Sequence, residues 1–264
     1  MSLTTVDAGL LSGNAQEVGM KNRIIDGGFI INQRVYVSGT ALSAGVYAHD
    51  RWKAGSGGCT YTFTQGSLGV NTTITITAGT IVQVIEGCNL ADGGTYVLSW
   101  TGTAQGRLNG GSYGSSGSVT ITGWTAGTNL SVEFNTGTLG FVQLEKGSTA
   151  TSFDYRPYGT ELNLCQRYAR PVTGVSLIGQ VYSTTNATIF SFGTPMRAVP
   201  SISPTSGFGI TNATGSNATA SFSVYTAGND GCVTLAATVA LGLVAGNATY
   251  VNSVPSTTIL SAEL

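Results

Sequence analysis

Histidine is nearly absent from this chain, and its acidic residues are few and scattered. The single histidine, His49, stands beside the segment Asp50–Trp52, so a Ser-His-Asp triad or a two-histidine metal site would depend on that position alone. A hydrolase with paired carboxylates needs two acids held roughly 5 to 10 Å apart. The spacing of the 12 Asp and Glu residues gives no sign of such a pair. The sequence therefore predicts a protein that is not an enzyme.

Charge and long apolar runs are also scarce. Charged residues make up 9% of the chain, the formal net charge is -1, and no basic run is present. This removes the usual electrostatic basis for binding nucleic acid. No apolar stretch approaches the roughly 20 residues that a membrane helix needs, and the N-terminus lacks the charged and apolar regions of a signal peptide. We expect a soluble protein that does not insert into membranes and is synthesised in a cytoplasm.

The four cysteines, Cys59, Cys88, Cys165 and Cys232, match no spacing that is typical of a metal site. In a reducing compartment free thiols are expected, and a buried free cysteine behaves as a small apolar side chain. We interpret all four in this way. The sequence alone leaves a disulfide between two of them open.

The chain is instead rich in glycine and in short alternating runs. It contains 38 glycines, and 41% of its residues are hydrophobic. Segments such as Thr73–Thr77 and Asn129–Phe134 alternate apolar and polar residues, with turn residues between successive runs. This spacing is typical of antiparallel sandwiches. The sequence predicts an all-β fold of two antiparallel β-sandwich domains joined by a short helix, with little other helix.

The polar faces of these runs carry threonine and serine rather than lysine and glutamate. Edge strands of monomeric proteins are normally protected from pairing by charged side chains. Packing against identical chains would remove that need. The composition therefore favours a homo-oligomer.

A short helix is predicted just past the middle of the chain. Thr160 can cap it, Glu161 suits its positive end, and Pro171 prevents its continuation. Apolar residues fall on two sides of this helix. It is either a connector packed between two domains or a helix that also meets its copies in a symmetric oligomer. In the second case the interface residues are Leu162, Cys165 and Tyr168.

The run VQLEKGSTATSFDYRPYGTELNLCQRY, residues 142–168, carries a family resemblance. It resembles the boundary, in many bacteriophage tail-fibre and minor tail proteins, between a jelly-roll module similar to carbohydrate-binding modules and a C-terminal tip domain. Three further segments, Lys21–Phe29, Asp50–Trp52 and Pro195–Pro200, are similar to the same family and occur in the same order. The resemblance covers most of the chain.

The resemblance implies four regions: an N-terminal attachment or oligomerisation segment (1–20), a jelly-roll domain (21–158), a connector helix (159–171) and a C-terminal β-sandwich tip domain (172–264). It implies a homotrimer in the virion tail, made in the cytoplasm of a bacterial host and bound to other tail or baseplate proteins. The implied function is binding of a host surface glycan during adsorption. Two alternatives remain, a capsule-depolymerising tail spike and a purely structural tail component.

A sugar site needs an exposed aromatic face and planar polar side chains for the hydroxyl groups. Trp100 alternates with Val97 and Leu98 in a predicted strand and is interpreted as a core residue, and Trp52 is assigned to the core as well. The candidate sugar-binding residues lie in turn-rich stretches and are Arg107, Asn109, Tyr113, Trp124, Phe208, Tyr225 and Asp230.

No cofactor is predicted. Modules that resemble carbohydrate-binding modules often hold a structural Ca²⁺ near their first strand, and the resemblance places Asp26 and Asp154 at the corresponding ends of the domain. Their oxygen ligands would suit Ca²⁺. The remaining ligands are not evident in the sequence. A structural Ca²⁺ at Asp26 and Asp154 is therefore kept as the alternative to a protein without a bound metal.

Overall fold

The computed structural model describes residues 20–115, 117–172, 177–212, 217–228, 231–240, 242–255 and 258–264, without the side chains of Asn212 and Asn217. Strands dominate these residues, beside one α-helix, α1 (Tyr158–Gln166), and a 3-10 turn at Gly87–Leu90. The prediction of an all-β fold is confirmed. The predicted attachment segment 1–20 lies outside the described residues except for Met20.

The chain divides into two compact units. Among the described residues, the N-terminal unit holds 20–30 and 37–161, and the C-terminal unit holds 31–36 and the residues from 162 onward. The strands of the N-terminal unit are β1 (Lys53–Phe63), β2 (Ile74–Ile85), β3 (Gly94–Thr101), β4 (Gly106–Leu108), β5 (Ser118–Trp124), β6 (Leu130–Phe134) and β7 (Gly137–Lys146). Those of the C-terminal unit are β8 (Ala169–Pro171), β9 (Ile178–Val181), β10 (Asn186–Ser191), β11 (Ser201–Ser203), β12 (Ser206–Asn212), β13 (Asn217–Ala227), β14 (Val233–Val239), β15 (Ala248–Ser253) and β16 (Ile259–Ser261).

The N-terminal unit is an antiparallel sheet of seven strands in the order β4-β6-β2-β7-β3-β5, with β1 paired to β2. Strand β7 joins the two halves of this order, because its first residues pair with β2 and its later residues pair with β3. In β2 the alternation that the sequence predicts is present: Ile74 and Ile76 are buried, while Thr75 and Thr77 face outward. The threonines therefore form the polar face of this strand, as expected.

Aromatic side chains fill much of the core of the N-terminal unit. Trp52 and Tyr61 are fully buried, and the Trp100 ring meets Phe134 edge-on with centroids 5.2 Å apart. The indole N–H of Trp100 donates to the Ala104 carbonyl at 2.8 Å, which satisfies its buried donor. Both tryptophans that the sequence assigned to the core therefore lie in it.

The C-terminal unit contains a closed barrel instead of the expected second sandwich. Its strands follow the order β10-β14-β13-β12-β15-β9, and β9 completes the ring by pairing with both β10 and β15. Phe208 and Phe222 stack inside the barrel with centroids 4.2 Å apart and planes 7° from parallel. Closure pairs every strand on both sides, so no edge remains to be protected by charge. The uncharged strands of the barrel therefore have an explanation that does not need a second copy.

The helix α1 is shorter than the predicted connector over 159–171. It ends at Gln166, and Ala169–Pro171 form β8, which pairs with β16 in a small sheet of order β11-β16-β8. The buried Arg170 on β8 donates to the Ser191 hydroxyl at 3.1 Å. This backbone pairing competes with helix continuation just before Pro171, which a helix cannot accommodate there.

Two of the three residues assigned to an oligomer interface are buried within a single chain. Cys165 is fully buried, Tyr168 is 1% exposed, and Leu162 is half-buried. Cys165 and Tyr168 therefore present no surface to a neighbouring copy, which corrects that assignment. Each apolar side of α1 therefore has one leucine, Leu162 or Leu164, that is only half-buried.

In the part of the chain that the structure describes, no helix has both the length and the apolar character needed to cross a bilayer. The four cysteines are all free thiols, as interpreted from the sequence. Cys59 and Cys165 are buried, and burial raises the pKa of Cys59 to about 11. Cys88 is exposed, however, so it does not serve as a core side chain.

Candidate functional site

Three of the candidate sugar-binding residues lie near one another on the N-terminal unit. Arg107 on β4 faces Glu133 on β6, and its Nε donates to Glu133 Oε2 at 2.8 Å. The Tyr113 hydroxyl donates to the other carboxylate oxygen at 3.3 Å, and the guanidinium carbon lies 4.5 Å from the centroid of the tyrosine ring. Asn109 follows β4 directly. Glu133 was not assigned to a site from the sequence, yet it bonds both Arg107 and Tyr113.

The polar groups of this cluster are satisfied by one another. The hydrogen bond that Arg107 donates to Glu133 raises the pKa of Arg107 above its ordinary value. Burial, followed by the charge of Glu133, raises the pKa of Tyr113. Asn109 has a φ of 47° and donates its backbone N–H to the Ser131 carbonyl at 2.8 Å, which fits a turn position where Asn is favoured. A ligand would have to displace these contacts, so the cluster is better explained as a clasp for the loop after β4.

The remaining candidates are dispersed. Trp124 is half-buried at the end of β5, and its indole N–H donates to the Thr128 carbonyl at 3.2 Å in the following turn. Phe208 is fully buried in the barrel. Its placement corrects the sequence-based assignment, because a ring inside the core cannot stack on a sugar. Asp230 lies outside the described residues. Tyr225, by contrast, is 77% exposed.

Tyr225 borders a groove on the outer face of the barrel. This tyrosine groove has a volume of about 370 Å³ and is lined by Tyr182, Thr188, Tyr225, Thr234, Leu235 and Ala236. Tyr182 is 59% exposed, so two tyrosine rings project beside a lining of small and hydroxyl-bearing residues. No lining residue is charged. Such a groove can offer ring faces and hydroxyl groups together, which is the combination that neutral polar ligands require.

The alternation of the barrel strands explains why these side chains point outward. In β10, Ala187 and Ile189 are buried whereas Thr188 and Phe190 face out, and β14 alternates in the same way around Thr234. Tyr225 lies at a register shift between β13 and β14, where a bulge turns the strand. The groove therefore results from strand register, which local composition does not reveal.

The residues considered for a structural Ca²⁺ are engaged by backbone amides. Asp26 is fully buried, and its Oδ1 accepts the Ile30 N–H at 2.7 Å. Asp154 Oδ2 accepts the Asn22 N–H at 3.3 Å. In the described portion of the chain, no three His, Cys, Asp or Glu side chains converge as a metal site. The geometry gives no support to the calcium alternative.

The single histidine is part of a buried hydrogen-bond chain. The Tyr61 hydroxyl lies 2.8 Å from His49 Nδ1, and Gln65 Oε1 lies 3.2 Å from Nε2. Because Gln65 Nε2 donates to the Phe29 carbonyl at 3.3 Å, its oxygen faces the histidine. We therefore assign the proton to Nε2 of a neutral imidazole. Burial lowers the pKa of His49 to about 4.

Acidification is expected to destabilise the N-terminal unit through His49. Between pH 6.5 and about 4 the unfolded chain binds a proton at this residue and the folded chain does not, so stability falls as the pH falls. The free energy of unfolding should fall by about 1.4 kcal/mol for each pH unit in this range, and by about 3 kcal/mol in total. Urea unfolding of wild type and His49→Gln across this range measures the effect. If the free energy of unfolding depends on pH in the same way for both proteins, His49 is not buried in its neutral form.

Comparisons of the chain with protein-family models, with curated proteins and with solved structures find no match. We therefore base the function on the chemistry of the tyrosine groove and on the resemblance described above. Of the residues assigned from sequence, Tyr225 is the one that the barrel places on an open groove. Its neighbours Tyr182, Thr188 and Thr234 were not assigned from the sequence. Only the knowledge of which residues in and next to these strands face outward would have indicated them.

Proposed function

We propose that this chain is a phage tail-fibre protein that binds a host bacterial surface glycan during adsorption, with the tyrosine groove as its contact site. The observation that carries the proposal is the pair of exposed rings, Tyr182 and Tyr225, on an uncharged groove of about 370 Å³. Aromatic faces stack on the C–H surfaces of sugars, and the tyrosine and threonine hydroxyls can bond sugar hydroxyls. The resemblance of residues 142–168 to tail-fibre boundaries supports the same function.

Binding at one such groove would be weak, because it is open to water and contains few aromatic groups. Assembly as a homotrimer would present three grooves, and several fibres on one virion would present more. Linked sites raise the overall affinity by avidity without any new contact. In this proposal the N-terminal unit is a jelly-roll module that joins the barrel to other tail or baseplate proteins.

Loss of either exposed tyrosine is expected to weaken glycan binding about tenfold, the equivalent of 1.4 kcal/mol. The test is an array of purified bacterial capsules, lipopolysaccharides and teichoic acids, probed with wild type, Tyr182→Ala and Tyr225→Ala. Tyr155→Ala is a matched control, since Tyr155 is 69% exposed on the N-terminal unit. Binding that Tyr155→Ala retains and both groove variants lose supports the proposal. Absence of wild-type binding, or equal binding by all variants, contradicts it.

The same experiment separates the two alternatives. A capsule-depolymerising tail spike would steadily reduce the size of a capsular polysaccharide during incubation, which size-exclusion chromatography detects. A purely structural tail component would bind neither the array nor intact bacterial cells. The proposed function requires binding while the polymer keeps its size.

A further inference from the structure

A second groove lies on the outer face of the same barrel. This apolar groove has a volume of about 450 Å³ and is lined by Ile178, Gly179, Gln180, Phe190, Ala248, Thr249 and Tyr250. Ile178 is 59% exposed and Tyr250 is 48% exposed. Beyond the end of β10, Phe192 stacks on Phe190 with centroids 6.4 Å apart and extends the aromatic surface. Large contiguous exposed apolar patches on proteins mark interaction sites and ligand-binding grooves.

Strand register places the two grooves side by side on the barrel, with β10 lining both. Ile178 pairs with Tyr250 on one side and with Phe190 on the other, and Phe190 pairs with Thr234 of the tyrosine groove. Thr234 pairs in turn with Thr226, the residue after Tyr225. This row crosses β15, β9, β10, β14 and β13, and four inter-strand spacings make it roughly 19 Å long. Both grooves therefore belong to one path along the barrel surface.

The strands that form this path carry no charged side chain. Their sequences, IGQV, NATIFS, VTLAATV, NATASFSVYTA and ATYVNS, contain only apolar, glycine, hydroxyl and amide residues. An acidic polysaccharide would be expected to meet Arg or Lys, which form strong charge-assisted hydrogen bonds with carboxylates. Gln180 and Thr188 lie beside the row and can bond neutral hydroxyl groups. The chemistry of the path matches an uncharged ligand.

We propose that the barrel binds an extended, uncharged polysaccharide along this path, with separate sugar rings in the tyrosine groove and in the apolar groove. This inference rests on the proposed function and adds a second subsite and a substrate class to it. A second copy of the chain cannot add a strand here, because the closed barrel offers no free strand edge for pairing. An elongated ligand that spans both grooves also gains affinity with length.

The test measures affinity against the length of the ligand. Neutral isomalto-oligosaccharides and mannan oligosaccharides of graded length are titrated into the full chain by calorimetry, beside acidic oligogalacturonates. Affinity for the neutral series should rise by at least tenfold from the disaccharide to fragments that cover both grooves, and then level off. Oligogalacturonates should bind at least tenfold more weakly than neutral fragments of equal length.

Substitutions in the apolar groove distinguish failure of this inference from failure of the proposed function. Ile178→Ala and Tyr250→Ala should remove most of the gain with length and leave disaccharide binding unchanged, whereas Tyr225→Ala should weaken both. If short fragments bind through Tyr225 but length adds nothing, the second subsite is contradicted and the proposed function stands. If no neutral fragment binds, both fail.

Two further outcomes overturn the inference. Tighter binding of the acidic series would contradict the uncharged substrate class. A fall in the solution mass of Ile178→Ala or Tyr250→Ala by light scattering, without any change in sugar affinity, would assign the apolar groove to contacts between copies. Ile178 and Tyr250 are both partly exposed, so their substitution should leave the barrel folded. Thermal melting of each variant checks this.

Discussion

Replacing Glu161 with alanine should lower the free energy of unfolding of the N-terminal unit by about 3–5 kcal/mol. Glu161 is 6% exposed, and each of its carboxylate oxygens lies 3.0 Å from Arg156 Nη1. Its Oε1 also accepts the Asp26 backbone N–H. The same guanidinium donates to the Ile24 carbonyl at 3.0 Å and to the Asn22 carbonyl. Removing the carboxylate leaves the buried Arg156 cation without its counter-charge and the Asp26 amide without this acceptor.

The charge pair can be separated from the loss of packing by a second variant. Arg156→Met combined with Glu161→Leu removes both charges, so it should cost clearly less than Glu161→Ala alone. Asp92→Ala is the exposed control, because Asp92 lies 3.6 Å from Lys146 with 58% of its side chain exposed. An exposed pair of this kind contributes at most about 1 kcal/mol. Equal, small losses for Glu161→Ala and Asp92→Ala in urea titrations would show that the Arg156–Glu161 pair is not buried.

Replacing Trp52 with alanine should destabilise the same unit by about 3–5 kcal/mol, the usual cost of emptying a buried aromatic site. Its side chain is fully buried, and its ring stacks on Phe29 with centroids 5.0 Å apart. Its indole N–H donates to the Asp26 carbonyl at 2.9 Å. The substitution therefore opens a cavity and also leaves a buried carbonyl without this donor.

Trp124→Ala is the matched control for that prediction. Trp124 is half-buried and its indole N–H donates to Thr128 in the next turn, so loss of the side chain should cost about 1 kcal/mol or less. Unfolding is followed by circular dichroism, because both substitutions change the tryptophan fluorescence. If Trp124→Ala proves as destabilising as Trp52→Ala, the division between core and surface tryptophan is wrong.

The local structure of this chain is predictable wherever one face of a strand is buried. In β2 the alternation of Ile74, Thr75 and Ile76 gives both the strand and its buried face, and the strand context of Trp100 predicts its burial. These signals need no partner strand. The same local reasoning fails for Phe208, because glycines on both sides of it resemble a turn while the residue is an inward position of β12.

The closed barrel and the candidate site depend on pairings that are distant in sequence. Closure requires β9 to pair with its neighbour β10 and also with β15 near the end of the chain. The row from Tyr250 through Ile178 to Phe190 exists only in that register. No local pattern carries this information, since a shift of one residue would turn each ring inward. Sequence reasoning could find Tyr225 alone, and it missed the residues that make a groove around it.

A structure of the chain in complex with a neutral oligosaccharide tests the central claim most directly. The account predicts a sugar ring against Tyr182 or Tyr225, and a longer fragment that continues past Phe190 toward Tyr250. A sugar bound instead beside Tyr113 or Trp124, with the outer face of the barrel empty, would contradict it.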